Sequence, residues 1–334
     1  MSGGVDSAVA AARLLDTGHT VTAVHLVLQS ADAAADAKAV ADSLGVPFEL
    51  WDLSDEFLSS VIGNFVDEYS NGRTPNPCLT CNRTIKFGAM LDRVLARGFD
   101  GLATGHYARL AGTSTIELHR AAELAKDQSY VLAGLTQAQL RRTWLPLGAS
   151  SKAEVRAEAG GRSLPVAHKA ESMDLCFIPD GDTPGWLRHH LGPRPGEIVD
   201  ESGEVLGTHE GTYLYTIGQR RGLNLRRPAA DGQPRFVIAL DAPNHRVVVG
   251  PKAHLATRTL ETAPVVWSSG VAVSAPFDGR AQVRAHGEVV DCRVTPREDG
   301  GIGIELGTPI AGVAPGQTAV VYNDDRVVVA GVIR

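Results

Sequence analysis

No stretch of the 334 residues approaches eighteen uninterrupted apolar positions, so no membrane-spanning helix is expected. The opening residues, Met1-Ser2-Gly3-Gly4, carry no basic segment followed by an apolar run, which argues against a secretory signal. Cysteine is scarce: Cys78, Cys81, Cys176 and Cys292 are the only four. So few do not make a disulfide framework. The expected setting is the cytoplasm, with thiols that are catalytic, metal-binding or merely buried. An excess of positive charge is lacking too. A net charge of −6 argues against nucleic-acid binding through the whole surface. It leaves local patches, Arg141-Arg142, Arg220-Arg221 and Arg226-Arg227, each of which taken singly reads more readily as solvated surface. There is no internal repeat, and no low-complexity tract beyond the alanines near Ala33.

What is present begins with an alternation. Apolar runs over residues 20–28, 47–53 and 100–104 read as buried strands. Residues 32–44, 54–69, 82–97 and 151–162 read as helices, the last with Ser150 or Ser151 as cap. Strands alternating with helices predict a parallel α/β sheet covered on both faces. Near Pro184 helical periodicity fades and Gly and Pro recur. Residues 196–225 read as short strands and turns. Val-rich runs follow over 235–240, 246–250, 281–285, 289–294, 302–306, 319–322 and 327–333, and they predict a small barrel. The expected division is 1–183 for the α/β domain, 184–250 for a small central β domain and 251–334 for a C-terminal β-barrel.

Ser2-Gly3-Gly4-Val5-Asp6-Ser7 runs straight into an alanine-rich helical stretch. Two glycines let the backbone turn tightly and approach a ligand closely. The Ser2 and Ser7 hydroxyls add hydrogen bonds, and the following helix points free N–H groups at the loop, which suits a phosphate. Asp6 is the carboxylate the loop offers to a magnesium ion. The Gly-Lys-Ser/Thr ending of a Walker loop is missing. The pattern resembles the pyrophosphate loop of the PP-loop ATPases, which adenylate a substrate oxygen. Such a loop normally leaves the end of a central strand. Here Met1 directly precedes Ser2, so either the native start lies upstream or the protein is damaged; an upstream start is the expectation.

Cys78 and Cys81 lie in Thr74-Pro75-Asn76-Pro77-Cys78-Leu79-Thr80-Cys81-Asn82, a Pro-rich loop opening a helix. Cys81 or Asn82 is expected at the helix N-terminus, where the dipole lowers a thiol's pKa. With Cys176, three readings stay open: a zinc site, weak because no second Cys-x-x-Cys or His pair follows; an iron–sulfur cluster with an open iron; or a catalytic pair that passes a persulfide sulfur and closes a disulfide. Cys292, in a β run, reads as a buried or half-buried strand residue.

These motifs occur in one order with Ala103-Thr104-Gly105-His106-Tyr107-Ala108-Arg109, Lys126-Asp127-Gln128-Ser129-Tyr130, Thr216-Ile217-Gly218-Gln219-Arg220-Arg221-Gly222-Leu223 and Ala314-Pro315-Gly316-Gln317-Thr318-Ala319-Val320. Together they closely resemble the bacterial tRNA-specific 2-thiouridylase family, over essentially the whole chain. The resemblance implies an ATP-binding PP-loop domain, a central β domain and a C-terminal barrel. It implies ATP and Mg2+ use, and thiolation of the wobble uridine in tRNAs for Lys, Gln and Glu. The sulfur would come from a persulfide donor such as a cysteine desulfurase or a relay protein.

By the same resemblance Ser2, Gly3, Gly4, Val5, Asp6 and Ser7 grip the ATP phosphates, and Leu26 and Gly105 border the adenine or ribose. Cys81 is the nucleophile and Cys176 the persulfide carrier. Asn76, Pro77 and Cys78 face the target base. His106, Lys126, Asp127, Gln128 and Gln317 contact tRNA. His286 and Gly287 fall where the family has a further contact, in a segment that matches less closely. Some members carry Asp, with a general-base role, where this chain has Cys78. The loop after Leu28 is shortened. Two alternatives remain: another PP-loop ligase or sulfurtransferase with an iron–sulfur cluster, and a degenerate tRNA-binding protein without catalysis.

Overall fold

The computed structural model describes residues 1–29, 34–170, 175–225 and 232–334. The start of the helix expected from Asp32 and the pair Arg226-Arg227 fall outside them. Immediately after the Ser2–Ser7 loop begins, the chain enters the helix Val5–Asp16. Strand Ala23–Val27 pairs in parallel with Phe48–Asp52, in register from Ala23↔Phe48 to Val27↔Asp52. A second parallel pair joins Leu102–Ala103 to Thr143–Trp144.

Among the described residues the two pairs are separate sheets, where the periodicity predicts one. Met1 stands beside the first pair: its amine donates to the Val24 carbonyl and its carbonyl lies 2.9 Å from His25 Nδ1. Gly105, just past the second pair, packs on Asp6.

The helix Lys152–Gly161 starts as its sequence predicts. Ser151 accepts from the Glu154 N–H while the Glu154 carboxylate accepts from Ser151, a capping box. This helix runs beside Val5–Asp16 in the same direction, and three ion pairs in step tie them: Lys152–Asp6, Glu158–Arg13 and Arg162–Asp16. Arg13 also donates to the Pro146 carbonyl and the Ser150 hydroxyl, both at 2.9 Å. The helix that carries the loop is thereby fixed against the rest of the domain.

Residues 54–70 and 77–96 form two helical rods, the first with a π-helical turn over Leu58–Ile62 and the second kinked at Gly88, where φ −102° and ψ −106° leave the helical region. Phe57, Val61, Ile62 and Phe65 of the first and Ile85, Phe87 and Met90 of the second are buried in one core. The second rod begins at Pro77, ahead of the predicted 82. Asn76 caps it, its Oδ1 accepting from the Leu79 N–H at 3.2 Å, and proline fills the first turn, where its missing N–H has no partner to lose.

A helix, Thr183–Leu191, spans the point where helical periodicity seemed to end. Pro184 and Gly185 read as breakers, but both lie in the first turn, and the Asp182 carboxylate accepts from the Gly185 N–H at 2.9 Å. Four strands follow as one sheet, in the order Val205–His209, Gly196–Val199, Arg246–Gly250, Phe236–Asp241.

The C-terminal strands run Ala256–Glu261, Ile302–Ala311, Val289–Pro296, Phe277–Gln282, Thr318–Asn323, Arg326–Val332 around an antiparallel sheet. The pair Val266–Trp267 returns to Arg326–Val332 and Thr262 bridges Ile333, so the first strand's continuation meets the last and the barrel closes. Cys292 lies inside it, buried. The hairpin Arg109–Ala111/Glu117–His119, from the α/β region, adds to the same sheet through His119 opposite Arg326.

Beside that hairpin the buried Tyr130 hydroxyl donates to the Thr318 carbonyl at 2.7 Å. Tyr130→Phe leaves that carbonyl short of a partner and is expected to cost about 1 kcal/mol, read as a lower urea midpoint. An unchanged midpoint would show that the bond contributes nothing.

Candidate active site

The loop is closed by its own serines. Ser2 Oγ and Ser7 Oγ are 3.1 Å apart, the Ser2 N–H donates to Ser7 Oγ at 3.2 Å, and Ser7 Oγ donates to the Gly4 carbonyl at 3.1 Å. Gly3 has φ +71°, a left-handed conformation that favours glycine. Lys169 Nζ donates to the Gly3 carbonyl at 3.0 Å. Leu26 is half-buried near the carboxyl end of its parallel strand, the end at which open α/β sheets take ligands.

Asp6 is not presented to solvent as a free ligand. Both its oxygens accept from Lys152 Nζ, at 2.6 and 2.7 Å, and Oδ1 also accepts from the Tyr107 hydroxyl at 2.8 Å. A carboxylate already neutralised by an ammonium does not fit the magnesium role expected of it. Lys152 and Tyr107 are neighbours of Asp6 that sequence reasoning did not single out. A lysine at the first turn of a capped helix opposes the dipole, and that placement was the available signal.

The cysteines come together. Cys78, Cys81 and Cys176 interact electrostatically with one another and with Lys86. Cys78 and Cys176 are exposed, whereas Cys81 is buried. The expected dipole-lowered thiol is overturned. The helix starts at Pro77, so Cys81 lies beyond its first three positions. Desolvation dominates instead, with Lys86 opposing it, and pushes Cys81 up to about 11. Cys78 and Cys176 are also raised, again by desolvation first. Among the described residues no three His, Cys, Asp or Glu side chains converge as a metal would require.

Cys81 is therefore the last of the three thiols to react. At pH 8 a thiol titrating near 11 is about one part in a thousand thiolate. Iodoacetamide with timed peptide mapping should modify Cys78 and Cys176 first; early labelling of Cys81 would contradict its burial. A folded pKa above the unfolded value also means that this thiol's contribution to stability is complete below about pH 9. That contribution is lost as pH rises towards 11.

The cysteine loop is tied to the barrel. The Thr74 N–H donates to the Pro315 carbonyl at 2.7 Å, Gln317 Nε2 donates to the Thr74 carbonyl at 2.7 Å, and Arg73 donates to the Ile333 carbonyl at 3.0 Å. Gln317 thus holds the loop, with its side-chain amide turned towards protein. Asp127 is similarly engaged: it accepts from the Ala121 and Ser129 N–H groups, both at 3.0 Å, and from the Ser129 hydroxyl at 2.9 Å. Gln128 Oε1 accepts from the Tyr107 N–H at 2.9 Å. Lys126 closes the short turn Leu124–Lys126.

His106 Nδ1 lies 2.8 Å from the Thr104 hydroxyl, and desolvation, with Lys86 second, holds its imidazole well below the usual value. His286 and Gly287 sit in the turn between Phe277–Gln282 and Val289–Pro296.

Residues 1–180 match the family described as tRNA methyl transferase HUP domain, residues 185–251 the tRNA methyl transferase PRC-barrel domain, and residues 257–333 the aminomethyltransferase beta-barrel domain. A tRNA-specific 2-thiouridylase MnmA of Acidothermus cellulolyticus is 51% identical, covering 98% of this chain and 94% of its own. That of Kineococcus radiotolerans is 52% identical over 98% and 95%. That of Mycolicibacterium smegmatis is 49% identical over 97% and 94%. With a phosphate loop, three thiols within electrostatic reach of one another and this degree of likeness along nearly its whole length, the chain belongs to the tRNA-specific 2-thiouridylase family.

Proposed function

We propose that the protein is an ATP-dependent tRNA-uridine 2-sulfurtransferase acting on the wobble uridine of tRNAs for Lys, Gln and Glu. What carries the reading is the likeness to tRNA-specific 2-thiouridylases along nearly the whole chain, in a protein that also has a serine-closed phosphate loop and the thiols Cys78, Cys81 and Cys176. A methyl-transfer reading, which the domain descriptions would suggest, leaves Cys78, Cys81 and Cys176 without a task.

The chemistry follows from these parts. ATP gives AMP to the uridine C2 oxygen and releases pyrophosphate, turning a poor leaving group into a good one. The N–H groups at the loop face the phosphate charge. The outer sulfur of a Cys176 persulfide bonds to C2, and AMP departs. Cys81 then attacks the inner sulfur of Cys176. The sulfur–sulfur bond breaks, 2-thiouridine leaves, and a Cys81–Cys176 disulfide remains for an external thiol to reduce. Cys81 is buried in the free protein, so this step requires that it be uncovered before it attacks. An anticodon base can already be unstacked.

Purified protein with ATP, magnesium, a persulfide donor and unmodified tRNA-Glu should yield 2-thiouridine on nucleoside mass analysis. A protein that binds tRNA yet never thiolates it, with an active donor present, would sink the proposal in favour of a non-catalytic binder.

A further inference from the structure

We propose that Lys169 is the cation that meets the ATP phosphates at the loop, while Lys152 serves to cancel the charge of Asp6. This deepens the reading above and rests on it for the presence of ATP.

Ser2-Gly3-Gly4-Val5-Asp6-Ser7 contains no lysine, arginine or histidine. A Walker loop carries its own lysine to the phosphates. This loop carries a carboxylate, which repels them. The fold brings two ammonium groups to it from far along the chain, and their settings differ. Lys152 Nζ meets both Asp6 oxygens, at 2.6 and 2.7 Å, and its side chain is only 11% exposed. Its charge goes to removing the repulsion. Lys169 Nζ donates to the Gly3 carbonyl at 3.0 Å, where the backbone turns through φ +71°. The Lys169 side chain is 40% exposed, and it also pairs with the Asp36 carboxylate at 2.5 Å, itself 51% exposed.

The backbone beneath Lys169 is firmly placed. The Ala167 N–H donates to the Leu164 carbonyl at 3.0 Å and the Lys169 N–H to the Val166 carbonyl at 2.9 Å. Leu164 and Val166 are buried in one cluster with Val5, Ala8 and Val9 of the helix that follows the loop. Arg156 Nη1 donates to the Lys169 carbonyl at 3.1 Å, which ties the same backbone to the helix Lys152–Gly161. Packed chain thus delivers the ammonium to the loop, where a neutral carbonyl and a solvent-facing carboxylate hold it. An exposed ion pair of that kind is worth little. A phosphate oxygen on the loop carries charge and is a stronger acceptor than the Gly3 carbonyl. Lys169 turns to it with its side chain alone, without moving its backbone.

The test is equilibrium binding of ATP and of adenosine to the full chain, over a range of salt, for the wild type, Lys169→Met and Lys169→Arg. Adenosine keeps the base and ribose and lacks the phosphates. Lys169→Met should weaken ATP about tenfold and leave adenosine within about twofold. The salt dependence of ATP binding should flatten in Lys169→Met and persist in Lys169→Arg, which keeps the charge and most of the affinity. Unchanged ATP binding in Lys169→Met overturns the proposal. So does a loss shared equally by adenosine, or one that leaves the salt dependence as it was, since Lys169 would then only shape the loop. A wild type that binds ATP with this dependence on Lys169 yet makes no 2-thiouridine supports the role of the lysine and removes the function proposed above. A wild type that binds no ATP removes both.

Discussion

Cys176→Ser is expected to lower 2-thiouridine formation at least about a thousandfold while leaving ATP and tRNA binding intact. A serine hydroxyl cannot carry a persulfide, and removing a covalent carrier typically removes nearly all chemical rate enhancement. The side chain is exposed, so little packing is lost. The next residue holds the backbone: Phe177 is buried against Phe57, Phe65 and Trp186, with ring centroids 6.0, 5.2 and 5.4 Å away. A folded, binding-competent but silent Cys176→Ser is therefore the outcome that matters.

Cys81→Ser separates the last two steps. It should leave sulfur transferred to C2 but still attached to Cys176, a covalent protein–tRNA adduct visible on a non-reducing gel and released by added thiol. If instead Cys176→Ser thiolates tRNA at more than a few per cent of the wild-type rate, Cys176 is not the carrier. Cys78, the other exposed thiol of the group, would then be examined in its place.

Gly105→Val carries the second large effect, on the nucleotide side. A Cβ at Gly105 would stand 2.7 Å from the Asp6 carbonyl carbon and 2.9 Å from its oxygen and Cβ. That is backbone, with no flexible end to swing away, so the phosphate loop must move. Asp6 is held by Lys152 and Tyr107, and displacing it strains both contacts. The expected result is a loss of ATP affinity of more than about tenfold, read by equilibrium binding, with tRNA binding little changed.

Gly160→Ala is the matched control. It lies in a helix with nothing within 4 Å of the new methyl group and should stabilise the fold by about 0.5–1 kcal/mol with no effect on ATP. Wild-type ATP affinity in Gly105→Val would mean that the loop tolerates the displacement, and the tight packing would then have no bearing on nucleotide binding.

The sequence made some of this legible and concealed the rest for identifiable reasons. The helix at Lys152–Gly161 announced itself through Ser151 and Glu154 three residues apart, a local signal sufficient by itself. The strand Arg246–Gly250 coincides with its apolar run. The helix at Thr183–Leu191 was hidden because Pro184 means "stop" inside a helix and "start" in its first turn. The strands of the Arg109–His119 hairpin, three residues each, are too short to show alternation and exist because a distant strand pairs with them.

In the candidate site, the Ser-Gly-Gly loop and the cysteine positions could be read directly. The burial of Cys81 could not, because it depends on how two rods pack. Nor could the grip of Lys152 on Asp6 or of Gln317 on Thr74. Those contacts join positions far apart in the chain, and no periodicity records them.

The hairpin has a consequence for how this protein can be divided. Its strands lie within the span matched by the first family description, yet their outer edge is covered by a strand matched by the third. The seam is reinforced by the Arg326–Glu117 pair at 2.6 Å, the Arg120 N–H on the Asp325 carbonyl at 2.8 Å and an Arg109–Asp325 pair. A fragment cut at the end of the α/β region would expose an unpaired strand edge and would also free the cysteine loop from Pro315 and Gln317. The units that a family library treats as separable words are, in this molecule, one sentence: remove the final clause and the catalytic phrase loses its grammar, tending to stick to its neighbours before it can act.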